Sequence, residues 1–279
     1  MVELKTMNET HLAEACELTR RLNWPHRYTD WQQALWLGEG VVAEENGKLL
    51  GTTLFWRWGR DYASLGLVIV ADEAQGKGTG KALVQAALTA LEGSHVRLHA
   101  TEAGKGLYEK LGFMATGQVS QHQCLQLPEF SSVLPVAGSI LRPARPEDTA
   151  VLTALDTQAH GQVRPRLIAM LQKNAARMLV LEEQGSVSGF ACLRRFGRGY
   201  VAGPVICRDL CQAKALVSEL LNGLEGQFVR MDTHSTSGLG SWLNHLGLHE
   251  VDRPTAMIRG TPWQPEGVLA FGLMSQAMG

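Results

Sequence analysis

The spacing of hydrophobic and polar residues changes abruptly near residue 75. Residues 67–71 form a continuous apolar run, which is typical of a buried strand. Farther along, pairs of apolar residues recur at four-residue steps, at Ala82/Leu83, Ala86/Ala87 and Ala90/Leu91. Polar residues lie between these pairs, and this period predicts an amphipathic helix. Gly76, Gly78 and Gly80 separate the two segments, so the sequence predicts a strand, a glycine turn and a helix.

The glycine turn has the chemistry of an anion-binding loop. Glycine reaches backbone conformations that a Cβ atom hinders, so consecutive N–H groups can converge on one phosphate. The N-terminus of the following helix adds a partial positive charge. The turn is therefore predicted to hold a phosphate.

Spacing excludes two other phosphate-binding loops. A P-loop requires Ser or Thr after its Gly-Lys pair, but Ala82 follows Lys81. The dinucleotide fingerprint Gly-x-Gly-x-x-Gly would place its last glycine at Lys81 or at Leu83. The pattern that remains is Gln75 followed by alternating glycines.

This pattern resembles the acetyl-coenzyme A pyrophosphate loop of the GCN5-related N-acetyltransferases, the GNAT superfamily. Their loop reads Gln/Arg-x-x-Gly-x-Gly/Ala, and Gln75, Gly78 and Gly80 match it position by position. Residues 107–113 resemble the closing signature of the same family, a helix with a tyrosine followed by a turn into a strand. A glycine-rich surface turn would explain the six loop residues alone, but two motifs in the family's order favour the resemblance.

A second regularity is an internal repeat. Residues 41–51 reappear as residues 179–189, and each copy predicts two strands joined by a tight turn. Residues 96–99 and 229–232 correspond later in each half, in the same order. The sequence therefore predicts an α/β fold with two tandem GNAT-like domains. The resemblance implies that each domain is a mixed, mostly antiparallel, twisted sheet flanked by helices.

The two copies meet at an aperiodic segment that contains proline. Regular patterning ends near Leu127 and resumes at Ile140. We therefore predict a catalytic GNAT domain at residues 1–128, a linker at residues 129–139 and a divergent GNAT-like domain at residues 140–279. A chain of 279 residues is long enough for two domains that each bury a core.

The copies differ at the loop itself. When the halves are aligned, Ala213, Ala215 and Val217 replace the three glycines. Side chains at these positions remove backbone freedom and the room for a pyrophosphate. The second half resembles the divergent C-terminal domain that follows a competent domain in a bacterial and animal subfamily. The matching residues are Leu155, Asp156, Gly161, Arg164, Gly203, Pro204 and Asp232, whereas His160 stands where an aromatic residue is commoner.

The resemblance implies which residues hold acetyl-coenzyme A, the expected co-substrate. Backbone N–H groups of Val68, Ile69 and Val70 would polarise the thioester and pair with pantetheine. The pyrophosphate loop would comprise Gln75, Gly76, Lys77, Gly78, Thr79 and Gly80. Thr101 stands where many relatives have an asparagine, and it is either a pantetheine contact or a plain turn threonine. Tyr108 matches the family tyrosine that protonates the leaving thiolate, with packing on the sheet as its alternative role.

The implied function is acetyl-coenzyme A-dependent N-acetyl transfer, in which the primary amine of a small molecule attacks the thioester directly. The alternative is an acetyl-coenzyme A-responsive binding or regulatory protein that transfers no acyl group. Acetylation of protein lysines is less favoured, because the sequence has no acidic run that would attract basic peptides. The general base stays open among five residues: His26, Asp61, Ser64, His99 and Glu102.

Aromatic residues are concentrated near the start of the chain. Five of the seven tryptophans lie in the first sixty residues, at Trp24, Trp31, Trp36, Trp56 and Trp58. In the resembling fold this region lines the acceptor side. The tryptophans are therefore interpreted either as walls for an apolar or cationic amine or as core and domain contacts.

The composition of the chain limits the classes of partner that are expected. The formal net charge is −1 and 19% of the residues are charged, so no nucleic-acid partner is expected. No segment has the pattern of a membrane span or a signal peptide, and we expect a cytoplasmic protein. The five cysteines are odd in number and scattered, which favours reduced thiols and no metal site. No pattern specifies the oligomeric state, and a homodimer is among the states that the sequence allows.

Overall fold

The computed structural model describes residues 2–279, which form fourteen strands and eight α-helices. The first half contains β1 (Glu3–Thr6), α1 (Leu12–Arg21), α2 (Tyr28–Leu37), β2 (Glu39–Glu45), β3 (Lys48–Trp58), β4 (Tyr62–Val70), α3 (Thr79–Ala90), β5 (His95–Ala100), α4 (Glu102–Lys110) and β6 (Met114–Cys124). The second half contains β7 (Ser139–Pro143), α5 (Thr149–His160), α6 (Pro165–Asn174), β8 (Arg177–Glu183), β9 (Ser186–Phe196), β10 (Gly199–Cys207), α7 (Leu210–Leu221), β11 (Val229–His234), α8 (Leu239–His245), β12 (His249–Asp252), β13 (Thr255–Arg259) and β14 (Leu269–Gly272). The two halves share one element order as far as α8.

The repeated sequence forms the same hairpin twice. Residues 41–51 span β2, β3 and their turn, and residues 179–189 span β8, β9 and theirs. The turns are Asn46-Gly47 and Gln184-Gly185, and these residues have positive φ angles between 50° and 77°. Two-residue turns of this kind match the twist of the strands they join. The strand, turn and strand predicted in each half are therefore present.

The strands form one continuous sheet in the order β1-β2-β3-β4-β5-β13-β6-β11-β10-β9-β8-β7. β12 pairs with β6 and β14 pairs with β10, both off this path. Among the described strands, only β4 with β5 and β10 with β11 pair in parallel. Each half is thus a mixed, mostly antiparallel sheet flanked by helices, as the resemblance implies.

The halves exchange strands at their junction. β13, from the second half, lies between β5 and β6 and pairs with both, so that Thr255 lies opposite Ala100 and Gln118. β6, from the first half, runs on past β13 and pairs with β11 over Val119 to Cys124. Each half therefore completes the sheet of the other. Residues 128–138 carry neither helix nor strand, and the domain boundaries placed there stay a prediction.

A shared core also joins the halves. One buried cluster contains Trp31 and Trp56 of the first half together with Leu152, Ile168 and Phe190 of the second. Two further clusters lie on the opposite face of the sheet, under α3 and α4 in one half and under α7 and α8 in the other. Burial of apolar surface between the halves makes them one packed unit. Within residues 2–279, every helix is too short or too polar to cross a bilayer.

Candidate active site at the junction of the two halves

The part of the sheet that belongs to the first half opens beside β4. This strand pairs in parallel with β5 only from Tyr62 to Ser64, although it continues to Val70 along β3. A register shift against β3 coincides with Leu67, a non-glycine residue at φ 51°, and the Thr52 hydroxyl donates to the Leu67 carbonyl at 2.8 Å. The edge of residues 68–70 that faces β5 pairs with no described strand. An extended ligand can therefore add to it as a strand.

The glycine loop leads from this edge into α3. The Gln75 amide donates to the Val70 carbonyl at 3.2 Å and to the Asp72 carboxylate at 3.0 Å. Gly76 and Gly78 have φ angles of 71° and 84°, and a Cβ atom on either would meet nothing within 4 Å. Glycine is thus required here for backbone conformation, while the space above the loop stays open.

The N-terminus of α3 has no side-chain cap. Gly78 is its N-cap, and the first bond inside the helix runs from the Ala82 N–H to the Gly78 carbonyl. The N–H groups of residues 79–81 precede this bond and lack a partner within the helix. Lys77 is exposed next to them. These donors and the helix dipole suit an anionic group.

In the second half, both the strand edge and the helix N-terminus that correspond to these features are closed. Its β10 pairs with β11 only from Tyr200 to Ala202, which is the same splay, but β14 then pairs with β10 from Val205 to Cys207. The N-terminus of α7 is capped by Asp209, whose carboxylate accepts from the Gln212 N–H at 2.9 Å. A strand of the chain and an acidic cap thus fill the places that stay open in the first half.

Tyr108 lies on α4, and Thr101 directly precedes this helix. Tyr108 is buried and packs edge-on against Phe113, with ring centroids 5.8 Å apart, and burial raises its pKa to about 12. The phenol is therefore protonated at neutral pH. Thr101 is the N-cap of α4, and its hydroxyl accepts from the Gly104 N–H at 3.3 Å. This capping bond corresponds to the turn role considered for Thr101.

A cavity of about 240 Å³ lies where the open strand edge meets the second half. The first half contributes Leu67, Thr101 and Trp24 to its wall, and the second half contributes Phe196 and Asp232. The other early tryptophans lie elsewhere. Trp31, Trp56 and Trp58 are buried in the core, and Trp36 is 57% exposed. Of the two roles considered for the early tryptophans, the wall role thus applies at this cavity to Trp24, and the core role applies to the three buried ones.

The last residues of the chain, residues 273–279, form a segment between the halves. We call it the C-terminal segment. The Gln276 carbonyl accepts from His99 Nδ1 at 2.7 Å, and the Met274 carbonyl accepts from Arg194. Ser275, Gln276 and Ala277 form part of the cavity wall. The segment therefore contacts both halves at the cavity.

Two of the five candidate bases, His26 and His99, line the cavity. Burial lowers the pKa of His26 to about 4 and that of His99 to about 3, so both rings are neutral at pH 7. The Gln276 carbonyl only accepts hydrogen bonds, which assigns the His99 proton to Nδ1 and leaves a lone pair on Nε2. Ser64 instead accepts from the Trp58 indole at 2.6 Å. Asp61 and Glu102 are exposed and do not belong to the cavity wall.

Arg194 and Arg230 are cavity residues that the sequence analysis missed. Arg194 is 7% exposed and lies on β9 in phase with the buried Phe190 and Cys192. A charged residue at an inward position of an apolar strand was a usable signal. No signal in the sequence pointed to Arg230, because only the fold brings its strand, β11, next to the first half.

A continuous sheet that splays once in each half, each time beside a helix N-terminus, defines a tandem acyltransferase fold of the GNAT type. Sequence models of the acetyltransferase (GNAT) domain match residues 36–115 and residues 152–269. A Bacillus subtilis protein, uncharacterized N-acetyltransferase YitH, is 28% identical over 286 positions, which cover 99% of this chain and 98% of that protein.

Solved structures share the fold over the length of the chain. A putative acetyltransferase from Pyrococcus horikoshii has a TM-score of 0.82 at 17% identity and covers 100% of this chain and 96% of its own. A tandem GNAT protein from the clavulanic acid biosynthesis pathway has a TM-score of 0.65 at 13% identity, covering 95% and 100%. The chain belongs to the GNAT superfamily as a tandem protein and is an N-acetyltransferase. The resemblance inferred from the loop is thereby confirmed.

Proposed function

We propose that this protein transfers the acetyl group of acetyl-coenzyme A to the primary amine of a small molecule bound between its halves. One observation carries the proposal. The open edge of residues 68–70 and the uncapped N-terminus of α3 follow one another along the chain, and Leu67, next to that edge, lines the cavity. A thioester paired along the edge would therefore lie beside the cavity that receives the amine.

The residues present fit acetyl-coenzyme A. The free N–H groups at residues 79–81 and the open space over Gly76 and Gly78 suit its pyrophosphate. The backbone at Val68 to Val70 suits its pantetheine arm. When bound, acetyl-coenzyme A supplies an activated thioester, whose C–S bond breaks as the amine nitrogen bonds to the acetyl carbon.

The protein's own part in the reaction is to position the amine and to move protons. The lone pair on His99 Nε2 can relay the ammonium proton, directly or through a water, toward solvent before the attack. Tyr108 keeps its proton at neutral pH and can give it to the thiolate that leaves. The proton released from the acylated nitrogen then restores the phenol, and the ammonium proton relayed by His99 leaves to solvent, so the protein ends unchanged.

The size of the cavity supports a small acceptor. Its volume of about 240 Å³ lies just below the range of roughly 300 to 1,000 Å³ that is usual for ligand pockets. Its walls come from both halves and from the C-terminal segment. A compact amine fits this description better than a lysine presented on a folded protein.

A panel of amines, amino acids and peptides, assayed for release of free thiol from acetyl-coenzyme A, tests the proposal. Amine-dependent release that requires the intact protein is the expected result, with the acetylated amine identified by mass spectrometry. Binding of acetyl-coenzyme A without turnover on any acceptor would instead favour the regulatory alternative.

A further inference from the structure

We infer that the acceptor carries a carboxylate in addition to its amine, and that this carboxylate binds Arg194. The inference rests on the proposed function and specifies the substrate class of the same cavity. Compact amino acids, with the amine directed toward Leu67 and Thr101, are the class that it names.

Arg194 is a buried cation without a buried anion of its own. Its side chain is 7% exposed, stacks on Phe196 at 5.0 Å and donates to the Met274 carbonyl. Its Nε is buried and has no hydrogen-bond partner among the described residues. Burial lowers its pKa only to about 10, so the guanidinium stays charged at pH 7. An unmatched buried charge is costly, and an anionic ligand would remove that cost.

The neighbouring carboxylates are already matched by other arginines. Asp30 accepts from Arg27 at 2.8 Å and 3.0 Å, and Asp232 accepts from Arg230 at 2.8 Å. Neither carboxylate bonds to Arg194. The cavity wall has two buried arginines, Arg194 and Arg230, and one buried carboxylate, Asp232. Its second carboxylate, Asp252, is exposed and accepts from the Arg253 N–H at 2.8 Å. The buried groups of the wall therefore have an excess of one positive charge.

A second guanidinium faces the same place. Arg230 lies over the Phe196 ring at 6.0 Å, and its Nη1 makes no hydrogen bond within residues 2–279. Arg194 and Arg230 thus share one aromatic ring and keep unused N–H groups. Planar guanidinium groups with free donors are suited to a carboxylate.

Arg194 lies in the same cavity as the residues next to the open strand edge, which relates its charge to the reaction. Arg194 and Phe196 belong to the second half, whereas Leu67, Thr101 and His99 belong to the first, and all five line one cavity. A molecule that spans the cavity can bind its carboxylate in the second half and present its amine to the open strand edge of the first. The divergent half would thereby select the acceptor.

Matched acceptor pairs test the inference. Each pair consists of an amino acid and its amide, for example β-alanine with β-alaninamide and phenylalanine with phenylalaninamide. Rates of thiol release are divided by the fraction of free amine, because the carboxylate alters the pKa of the amine. We expect the acid of the preferred pair to have a kcat/KM roughly 10- to 100-fold higher than its amide, mainly through KM, as for a charge-assisted hydrogen bond.

Variants assign the preference to the arginine. Arg194→Met should bring the acid-to-amide ratio close to one, and Arg194→Lys should retain part of it. Arg195→Met is the matched control, because Arg195 is exposed on the same strand and stacks on Tyr200 at 4.8 Å. The control should keep the wild-type ratio. If Arg194→Met does not fold, the acid-to-amide ratios of the wild type and of Arg194→Lys test the inference instead.

The outcomes separate this inference from the proposed function. Amides that react as well as their acids would overturn the inference while thiol release still supports the enzyme. If no acceptor releases thiol, the proposed function fails, and calorimetry with coenzyme A present then measures binding of the amino acids alone. Binding that Arg194→Met abolishes would support a carboxylate site, and absence of binding to wild type would overturn it.

Discussion

The Nδ1 atom of His99 lies 2.7 Å from the carbonyl oxygen of Gln276. This bond ties the end of β5 to the C-terminal segment and fixes which nitrogen of the ring carries the proton. Nε2 makes no hydrogen bond within the described residues and keeps its lone pair at a residue that lines the cavity. His99 thus combines this main-chain contact with a position on the cavity wall.

Replacing His99 with Asn tests its role as the base. The Asn amide can still donate to Gln276, whereas the acceptor at Nε2 is lost. We expect kcat to fall by roughly 10²- to 10⁴-fold, with the KM for acetyl-coenzyme A nearly unchanged. The parallel variant His26→Asn should have a smaller effect. A larger loss in His26→Asn than in His99→Asn would transfer the role to His26.

Replacing Tyr108 with Phe tests the acid. The change removes the proton donor but keeps the packing against Phe113, so kcat should fall by roughly 10²-fold or more while the affinity for acetyl-coenzyme A is kept. With a pKa of about 12 the wild-type phenol stays protonated through pH 10. Steady-state kinetics over pH 6–10 measure both expectations. Tyr62→Phe serves as the control, because the Tyr62 hydroxyl donates to the Thr261 carbonyl at 3.3 Å, outside the site. Equal turnover in Tyr108→Phe and wild type would remove Tyr108 from the mechanism.

Calorimetry should find one coenzyme A site per chain. Gly78→Trp should abolish binding, because the residue has a φ of 84° and its side chain would fill the open space over the loop. Gly93→Trp is the matched control, since Gly93 has a φ of 87°, equally open surroundings and a position beyond the other end of α3. Two sites per chain, or a Gly78→Trp protein that binds normally, would contradict the division between an open and a closed half.

Acid should destabilise the protein below pH 6.5. Burial lowers the pKa of His26, His99 and His234 to about 4, 3 and 4. Between these values and about 6.5 the unfolded chain binds more protons than the folded one, so stability is lost as the pH falls through this window. Each histidine contributes about 1.4 kcal/mol per pH unit to the slope. Urea unfolding at pH 7, 6 and 5 measures how the free energy of unfolding depends on pH. His99→Asn should reduce this slope, whereas His249→Asn, at an exposed position, should not.

Neither half should fold alone. Residues 1–128 lack β13, which pairs with both β5 and β6, and residues 129–279 lack β6, which pairs with β11. We expect each fragment to be poorly soluble or without a cooperative transition, and co-expression of the two to restore a soluble complex. Circular dichroism and thermal unfolding make the comparison. A fragment of residues 1–128 that melts cooperatively near the full-length temperature would show that the strand exchange is dispensable.

Local patterns in the sequence were sufficient for the elements that local chemistry determines. The glycine loop was predicted at residues 75–80, and Gly76 and Gly78 do adopt left-handed conformations there. The repeated hairpins were predicted from residues 41–51 and 179–189, because strand alternation and a two-residue turn are readable within a dozen residues. The replaced glycines also indicated which half is closed.

Longer-range features were not readable. β14 is only four residues long, and nothing near Leu269 indicates that it pairs with Val205 to Cys207. The exchange of β13 and β6 depends on pairing between strands more than a hundred residues apart in the chain, which sequence alternation does not specify. Arg194 gave a signal, a charge at an inward position, but not its cavity.

By itself, the sequence determined the repeated α/β fold and the single glycine loop, since both depend on backbone conformation and side-chain periodicity over a short stretch. The family was indicated by the resemblance of two motifs, the glycine loop and residues 107–113. Only the tertiary structure decided which residues meet between the halves: His99 with Gln276, and Arg194 with a cavity that also contains Leu67. Those contacts follow from how the two halves pack and exchange strands. Packing of this kind is a property of the whole chain rather than of any segment.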